Sequence, residues 1–251
     1  MTTKIKDTTD KLVYGHEGWL EDYVFHYHAG DSIMTKLNWG HDMTHDGLPR
    51  LEVITLKAFA PDGTEEAVTA KETGKDYIDL TSETDQEGMY LFTTSYDNCY
   101  AELPGDKWKV GTRKDFPDAL HVGRYVQSAT ACIYVGHHGS HDVFDAPLAT
   151  SIVPVCPDFR EGEELTFALK TDGKPQASDD VKYIFMGEDG NVVTDMKTDA
   201  DGIIRVTPDK PGVYGIIARY VLDSDSDDYE KIHYTATHCF RVKEHDHSDH
   251  H

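Results

Sequence analysis

Apolar positions along the chain recur at a spacing of two more often than at three or four. In Ser32 to Trp39 the residues Ile33, Thr35, Leu37 and Trp39 alternate with their neighbours, the pattern of a half-buried strand. Tyr14 to Leu20, Tyr23 to Tyr27, Leu51 to Ala60, Tyr77 to Leu80, Gly88 to Thr94 and Cys99 to Leu103 read as further extended pieces. Arg124 to Val135 is rich in β-branched and aromatic residues and stops at Gly136. One short helical stretch is predicted around Phe116 to Val126, interrupted by Pro117 and Gly123.

From Leu148 the punctuation becomes denser. Ile152 to Val155, Leu165 to Leu169, Val181 to Met186, Val192 to Met196, Ile203 to Val206, Val213 to Val221 and Tyr229 to Val242 read as strands. They are separated by turns such as Asp172-Gly173-Lys174-Pro175 and Pro211-Gly212. Short strands broken every ten residues or so predict antiparallel sandwiches. The expected architecture is all-β, with a disordered lead-in over 1–11 and two tandem antiparallel β-sandwich domains over 12–146 and 147–243. A His/Asp-rich tail follows over 244–251.

The 251 residues suffice for a real core, and 28% charged against 38% hydrophobic residues is a globular balance. The formal net charge of −22 repels a polyanionic backbone, so nucleic acid is excluded as a partner and divalent cations are favoured. No apolar run reaches the roughly 18 residues of a membrane span, so no direct membrane insertion is expected. The N-terminus has no apolar signal-peptide core, which implies either a cytoplasmic chain or a leader already removed. Cys99, Cys132, Cys156 and Cys239 form no CxxC pair; two disulfides and four buried thiols remain equally open.

Histidine changes this picture. Residues 16–45 hold five of the 15 histidines and two of the three tryptophans. Imidazole is the commonest protein ligand for borderline transition metals. His26 and His28 are two apart, so on an extended chain both project from one face. His41 and His45 sit in a glycine-flanked segment, and His137, His138 and His141 form a second knot in an apparent inter-domain loop. Any one of these can be an ordinary surface residue; together they are candidate metal ligands. The acidic run Asp223 to Asp228 lacks the glycine and glutamate of an EF-hand and reads as a solvated loop. No GxSxG, HExxH, P-loop or dinucleotide fingerprint is present, and the chain is read as a non-enzyme.

Several segments resemble one family, the periplasmic NikK-like β proteins that accompany nickel/cobalt uptake systems of the energy-coupling-factor type. His16-Glu17-Gly18-Trp19-Leu20 is similar to the His-x-x-Trp-Leu that opens their mature chains, and Gly40-His41 to the glycine–histidine ending their first long strand. Ser128 to Gly136 resembles the strand closing their first domain, and Pro147 to Pro154 the opening of their second. Asp172 to Pro175, Thr198 to Gly202 and Pro211 to Tyr214 resemble turns shared with transthyretin-like sandwiches. The chain departs from the pattern at Ala149-Thr150-Ser151, in its 15 residues before His16, and in its cysteines. The second departure displaces any terminal amine that serves as a ligand in relatives.

The resemblance implies sandwich domains of Ig-like or transthyretin-like type and supports His16 and His41 best as ligands. His45, His26, His28, His137, His138 and His141 are local additions. It also implies a periplasmic or extracellular protein that captures Ni²⁺ or Co²⁺ and hands it to a membrane transporter. Zn²⁺ and Cu²⁺ suit imidazole too, and Cu²⁺ ordinarily binds most tightly, so ligand chemistry does not choose the metal. The alternative is a non-catalytic surface adhesion or spacer module with incidental histidines.

Overall fold

The computed structural model describes residues 6–24, 26–143 and 145–244. The strands of the first half are β1 (Glu17–Asp22), β2 (Ser32–His41), β3 (Thr44–His45), β4 (Thr55–Phe59), β5 (Glu65–Glu66), β6 (Thr69–Glu72), β7 (Tyr77–Glu83), β8 (Gly88–Leu103), β9 (Lys107–Val110) and β10 (His121–Val135). Those of the second are β11 (Thr150–Pro154), β12 (Leu165–Thr171), β13 (Lys174–Pro175), β14 (Asp180–Gly187), β15 (Gly190–Met196), β16 (Ile203–Val206), β17 (Gly212–Asp223) and β18 (Lys231–Val242). The fold is all-β, as the alternation predicts.

They form three sheets. A five-stranded sheet runs β1-β2-β7-β6 with β3 beside β2, and a four-stranded one runs β11-β12-β13 with β16 beside β12. Between them lies a nine-stranded sheet, β15-β14-β17-β18-β10-β8-β4-β5, with β9 beside β8. The five-stranded sheet buries Leu20, Ile33, Leu37, Ile78 and Leu80 against Tyr90, Phe92, Ala129, Ala131 and Ile133. The four-stranded sheet buries Ile152, Phe167, Leu169 and Ile204 against Tyr214, Ile216, Ala236 and Phe240. Each Leu, Ile or Phe among them contributes about 1.5–3 kcal/mol when removed from water. On β2 the predicted inward set, Ile33, Thr35, Leu37 and Trp39, is buried throughout.

The halves meet edge to edge. β10 pairs with β18 in parallel, from Gly123 opposite Lys231 to Thr130 opposite His238, so the central sheet belongs to both. Among the described strands this is the parallel ladder, the others being antiparallel, and it joins residues on either side of the expected boundary at 146/147.

Four local expectations are corrected. Residues 6–11 of the lead-in are not disordered: the Leu48 N–H donates to the Lys6 carbonyl at 2.8 Å, and Thr8 and Thr9 are buried before a 3-10 turn over Thr9–Tyr14. Tyr23 to Tyr27 is not a strand; among its described residues only Tyr27 bridges, in parallel, to Val135. Gly88–Thr94 and Cys99–Leu103 are one 16-residue strand, because β10 pairs with it from Val135–Gly88 to His121–Glu102 and overrides the polar residues between. The stretch 116–126 is not helical: residues 116–120 are irregular, with a turn at 117–118, and β10 starts at His121. The tail from residue 245 onward lies outside the described residues.

Candidate metal centre

Tyr27 anchors the first half of the site. Its ring is buried, its hydroxyl donates to the Met34 carbonyl at 3.0 Å, and its carbonyl accepts the Gly136 N–H at 2.8 Å. With Tyr27 turned inward, the two-residue period turns His26 and His28 outward together, and their ring centroids are 4.8 Å apart. The turn after His28 is held by Asp31, whose carboxylate accepts the His28 N–H at 2.7 Å, and by the Thr84 hydroxyl, which donates to the Asp31 carbonyl at 2.9 Å.

The second half comes from the loop after β10. Gly136 has φ +78°, and a Cβ there would lie 2.4 Å from the Glu87 side chain. At Gly139 a Cβ would lie 2.2 Å from the Glu87 carbonyl carbon, so both glycines let the loop lie directly on Glu87. The Glu87 carboxylate accepts the His138 N–H at 3.0 Å, and the Met89 N–H donates to the Ser140 carbonyl at 3.0 Å. Together these contacts place the His137 ring 4.5 Å from His26 and 5.7 Å from His28.

One ligating atom from each of His26, His28 and His137 lies within 4.8 Å of the others; no other group of three or more His, Cys, Asp or Glu does so among the described residues. His28 and His137 are exposed, while His26 is half-buried and its Nε2 is buried without a hydrogen-bond partner. Burial first, and then the neighbouring His137 and His28, lower the His26 pKa, which keeps its lone pair available. Metal–nitrogen bonds of about 2.1 Å put tetrahedral ligand atoms about 3.4 Å apart, so the two exposed rings would have to rotate to close on an ion. Glu87 holds the loop but offers the ion nothing itself. Glu87→Ala is expected to weaken metal binding about tenfold, with Glu87→Gln restoring most of it, read by competition with a chromophoric chelator.

The other predicted ligands lie elsewhere. His16 and His41 form a separate pair with ring centroids 5.9 Å apart. His16 Nε2 is 2.9 Å from the Asp46 carboxylate, and His41 Nδ1 donates to the Gly15 carbonyl at 3.0 Å. The His16 hydrogen bond, then Lys11, hold the Asp46 carboxyl down at about 2. His16 Nδ1 is buried and unpartnered, and His41 Nε2 stands 3.6 Å from the Asp42 carboxylate. His45 stacks on Trp19 at 5.3 Å and binds the Asn38 side-chain oxygen at 2.8 Å. His141 stacks on Tyr134 at 4.1 Å, and His138 stands 6.3 Å from His137 without joining the trio. Ser140 donates to Asp142 at 2.8 Å. The four cysteines are free thiols. The role of Glu87 escaped the sequence reading; the glycines flanking His137-His138 are the trace of the close packing on it.

A family model described as "Domain of unknown function (DUF4198)" matches residues 13–222. No curated protein matches the chain. Among solved structures, a DUF4785 family protein from Legionella pneumophila is 13% identical with a TM-score of 0.29, over 79% of this chain and 50% of that one. The Escherichia coli adhesin FdeC is 13% identical with a TM-score of 0.26, over 91% of this chain and 64% of that one. Murine CEACAM1b is 12% identical with a TM-score of 0.23, over 91% and 100%. The chain thus spans half of the Legionella protein and under two thirds of the adhesin. At these scores the likeness carries no argument about role. No helix among the described residues is long and apolar enough to cross a membrane.

Proposed function

The chain belongs to the DUF4198 family, and from that premise we propose an extracytoplasmic protein that binds a divalent transition metal, nickel or cobalt, and hands it to a membrane uptake transporter. The single observation that carries the reading is the convergence of His26, His28 and His137 around the unpartnered Nε2 of His26. Three neutral imidazoles are a borderline-metal donor set and discriminate against Mg²⁺ and Ca²⁺, which prefer oxygen. Two of the rings are exposed, which suits a site that must release its ion as well as take it up. The net charge of −22 raises the local cation concentration around the chain. Nickel and cobalt, the transporter and the location outside the cytoplasm rest on the resemblance in the amino-acid sequence; the donor set accommodates zinc and copper as well.

The test is a calorimetric titration of Ni²⁺, Co²⁺ and Zn²⁺ into a chain whose tail histidines, His245, His247, His250 and His251, are replaced by serine. One ion per chain is expected at pH 7.5. Binding should weaken steeply between pH 7 and 5, because a protonated imidazole has no lone pair with which to coordinate. Absence of binding at pH 7.5 would replace this reading with a surface module whose histidines are incidental.

A further inference from the structure

Away from the imidazole trio, the fold gathers soft ligand atoms from distant parts of the chain. Met43 Sδ and Cys239 Sγ lie 3.8 Å apart, both buried. Met186 packs against the same cluster, which also contains Trp19, Ile184 and Ile217. The two sulfurs meet over Gly215, where a Cβ would stand 2.0 Å from Met43 Sδ and 3.5 Å from Cys239 Sγ. β17 therefore omits a side chain at the one place the sulfurs occupy.

Met43 reaches this place from the tip of the β2–β3 hairpin. Asp42 and Met43 both have left-handed backbone, with φ of 49° and 55°, a turn that ordinarily selects Gly or Asn. The tip is held by the Lys182 ammonium on Asp42 at 2.7 Å, by Asn191 Nδ2 donating to the Met43 carbonyl at 2.9 Å, and by the Met43 N–H donating to Glu17 at 2.8 Å. A cavity of about 390 Å³, lined by Trp19, Met43, His45 and Met186 among others, opens beside the cluster on its Met43 side.

We infer that Cys239, Met43 and Met186 form a second metal site, selective for a monovalent soft cation, Cu⁺ or its analogue Ag⁺. Thiolate and thioether are the donors that select Cu⁺ over harder ions. Metal–sulfur bonds of about 2.3 Å spanning the 3.8 Å gap subtend about 110°, which leaves a coordination position for the Met186 thioether. Charge makes the selection sharper. Binding converts Cys239–SH and Cu⁺ into Cys239–S–Cu and a proton released to solvent, with no change in oxidation state. Binding thus adds no net charge to the core, whereas a divalent ion would add one positive charge beside Trp19, Ile184 and Ile217.

The test is an anaerobic Cu⁺ titration against bicinchoninate, in the full chain carrying His26→Ala and His137→Ala. That background removes the imidazole site, so loss of nickel binding bears on the trio and loss of Cu⁺ binding on the sulfur site. Cu⁺ binding is expected to survive there, with at least two sulfur neighbours in X-ray absorption. Met43→Leu and Cys239→Ser should each weaken it at least tenfold, and Cys156→Ser should not. Leucine replaces methionine at nearly constant volume, so Met43→Leu decides the point even if Cys239→Ser fails to fold. Unchanged affinity in Met43→Leu, loss in Cys156→Ser, or a first shell of nitrogen and oxygen would overturn the site.

Discussion

Replacing His26 and His137 together by alanine is expected to lower nickel affinity more than about 100-fold, exceeding the 10–100-fold cost of losing an outer-shell partner. A hundredfold loss corresponds to about 2.7 kcal/mol. Two of three convergent donors vanish, and His28 alone on an exposed turn resembles any surface imidazole. Thermal stability should hardly change, because neither ring fills the core. His16→Ala/His41→Ala should behave in the opposite way. Affinity for nickel should remain within about threefold of the original, while stability falls as Asp46 loses its His16 partner at 2.9 Å. Calorimetry and melting curves on the unmodified chain and the two double variants separate the two cases. The reverse pattern would move the site to the His16–His41 pair.

Arg219→Ala is expected to cost about 3–5 kcal/mol of stability at pH 8, measured by urea unfolding. Glu17 is fully buried, with one carboxylate oxygen accepting Arg219 Nη2 at 2.6 Å and the other the Met43 N–H at 2.8 Å. Arg219 also donates to the Gly15 carbonyl at 2.9 Å, so this pair clamps β1 to β17 across the two halves. Without Arg219 a carboxylate is stranded in the core. Adding Glu17→Gln to Arg219→Ala should therefore recover most of the loss.

The pair also sets a pH dependence. Burial outweighs the pull of Arg219 and pushes the Glu17 carboxyl up to about 7. Between the ordinary glutamate value of about 4.3 and 7, the folded chain holds a proton that the unfolded chain does not. The contribution of this group is therefore complete below the lower value and is lost as pH rises through the upper one. Glu17→Gln should accordingly gain stability relative to the unmodified chain from pH 5 to pH 8, and the Arg219→Ala penalty should be smaller at pH 5. A pH-independent difference would show that Glu17 stays ionised throughout.

The strand content was legible because burial follows a local period. Ile33, Thr35, Leu37 and Trp39 had to share a face once β2 was extended, and they are the buried face of that strand. The same period carried His26 and His28 to one side, since that geometry also involves neighbours in the chain. Local pattern failed where a distant partner decided the outcome. β10 draws Ser95 to Asn98 into one continuous strand and takes the place of the helix expected over 116–126.

The amino-acid sequence by itself determined the all-β class, the acidic field and the abundance of imidazole. Which imidazoles converge was decided by the tertiary structure alone. His137 joins His26 and His28 only because the Tyr27–Val135 bridge and the glycines around His137-His138 press two distant loops together over Glu87. The Glu17–Arg219 clamp and the Met43–Cys239 contact likewise join residues 202 and 196 positions apart. Periodicity reports which way a residue faces, but not what it meets there. That is settled by how the three sheets stack and by the parallel β10–β18 ladder that fuses the two halves.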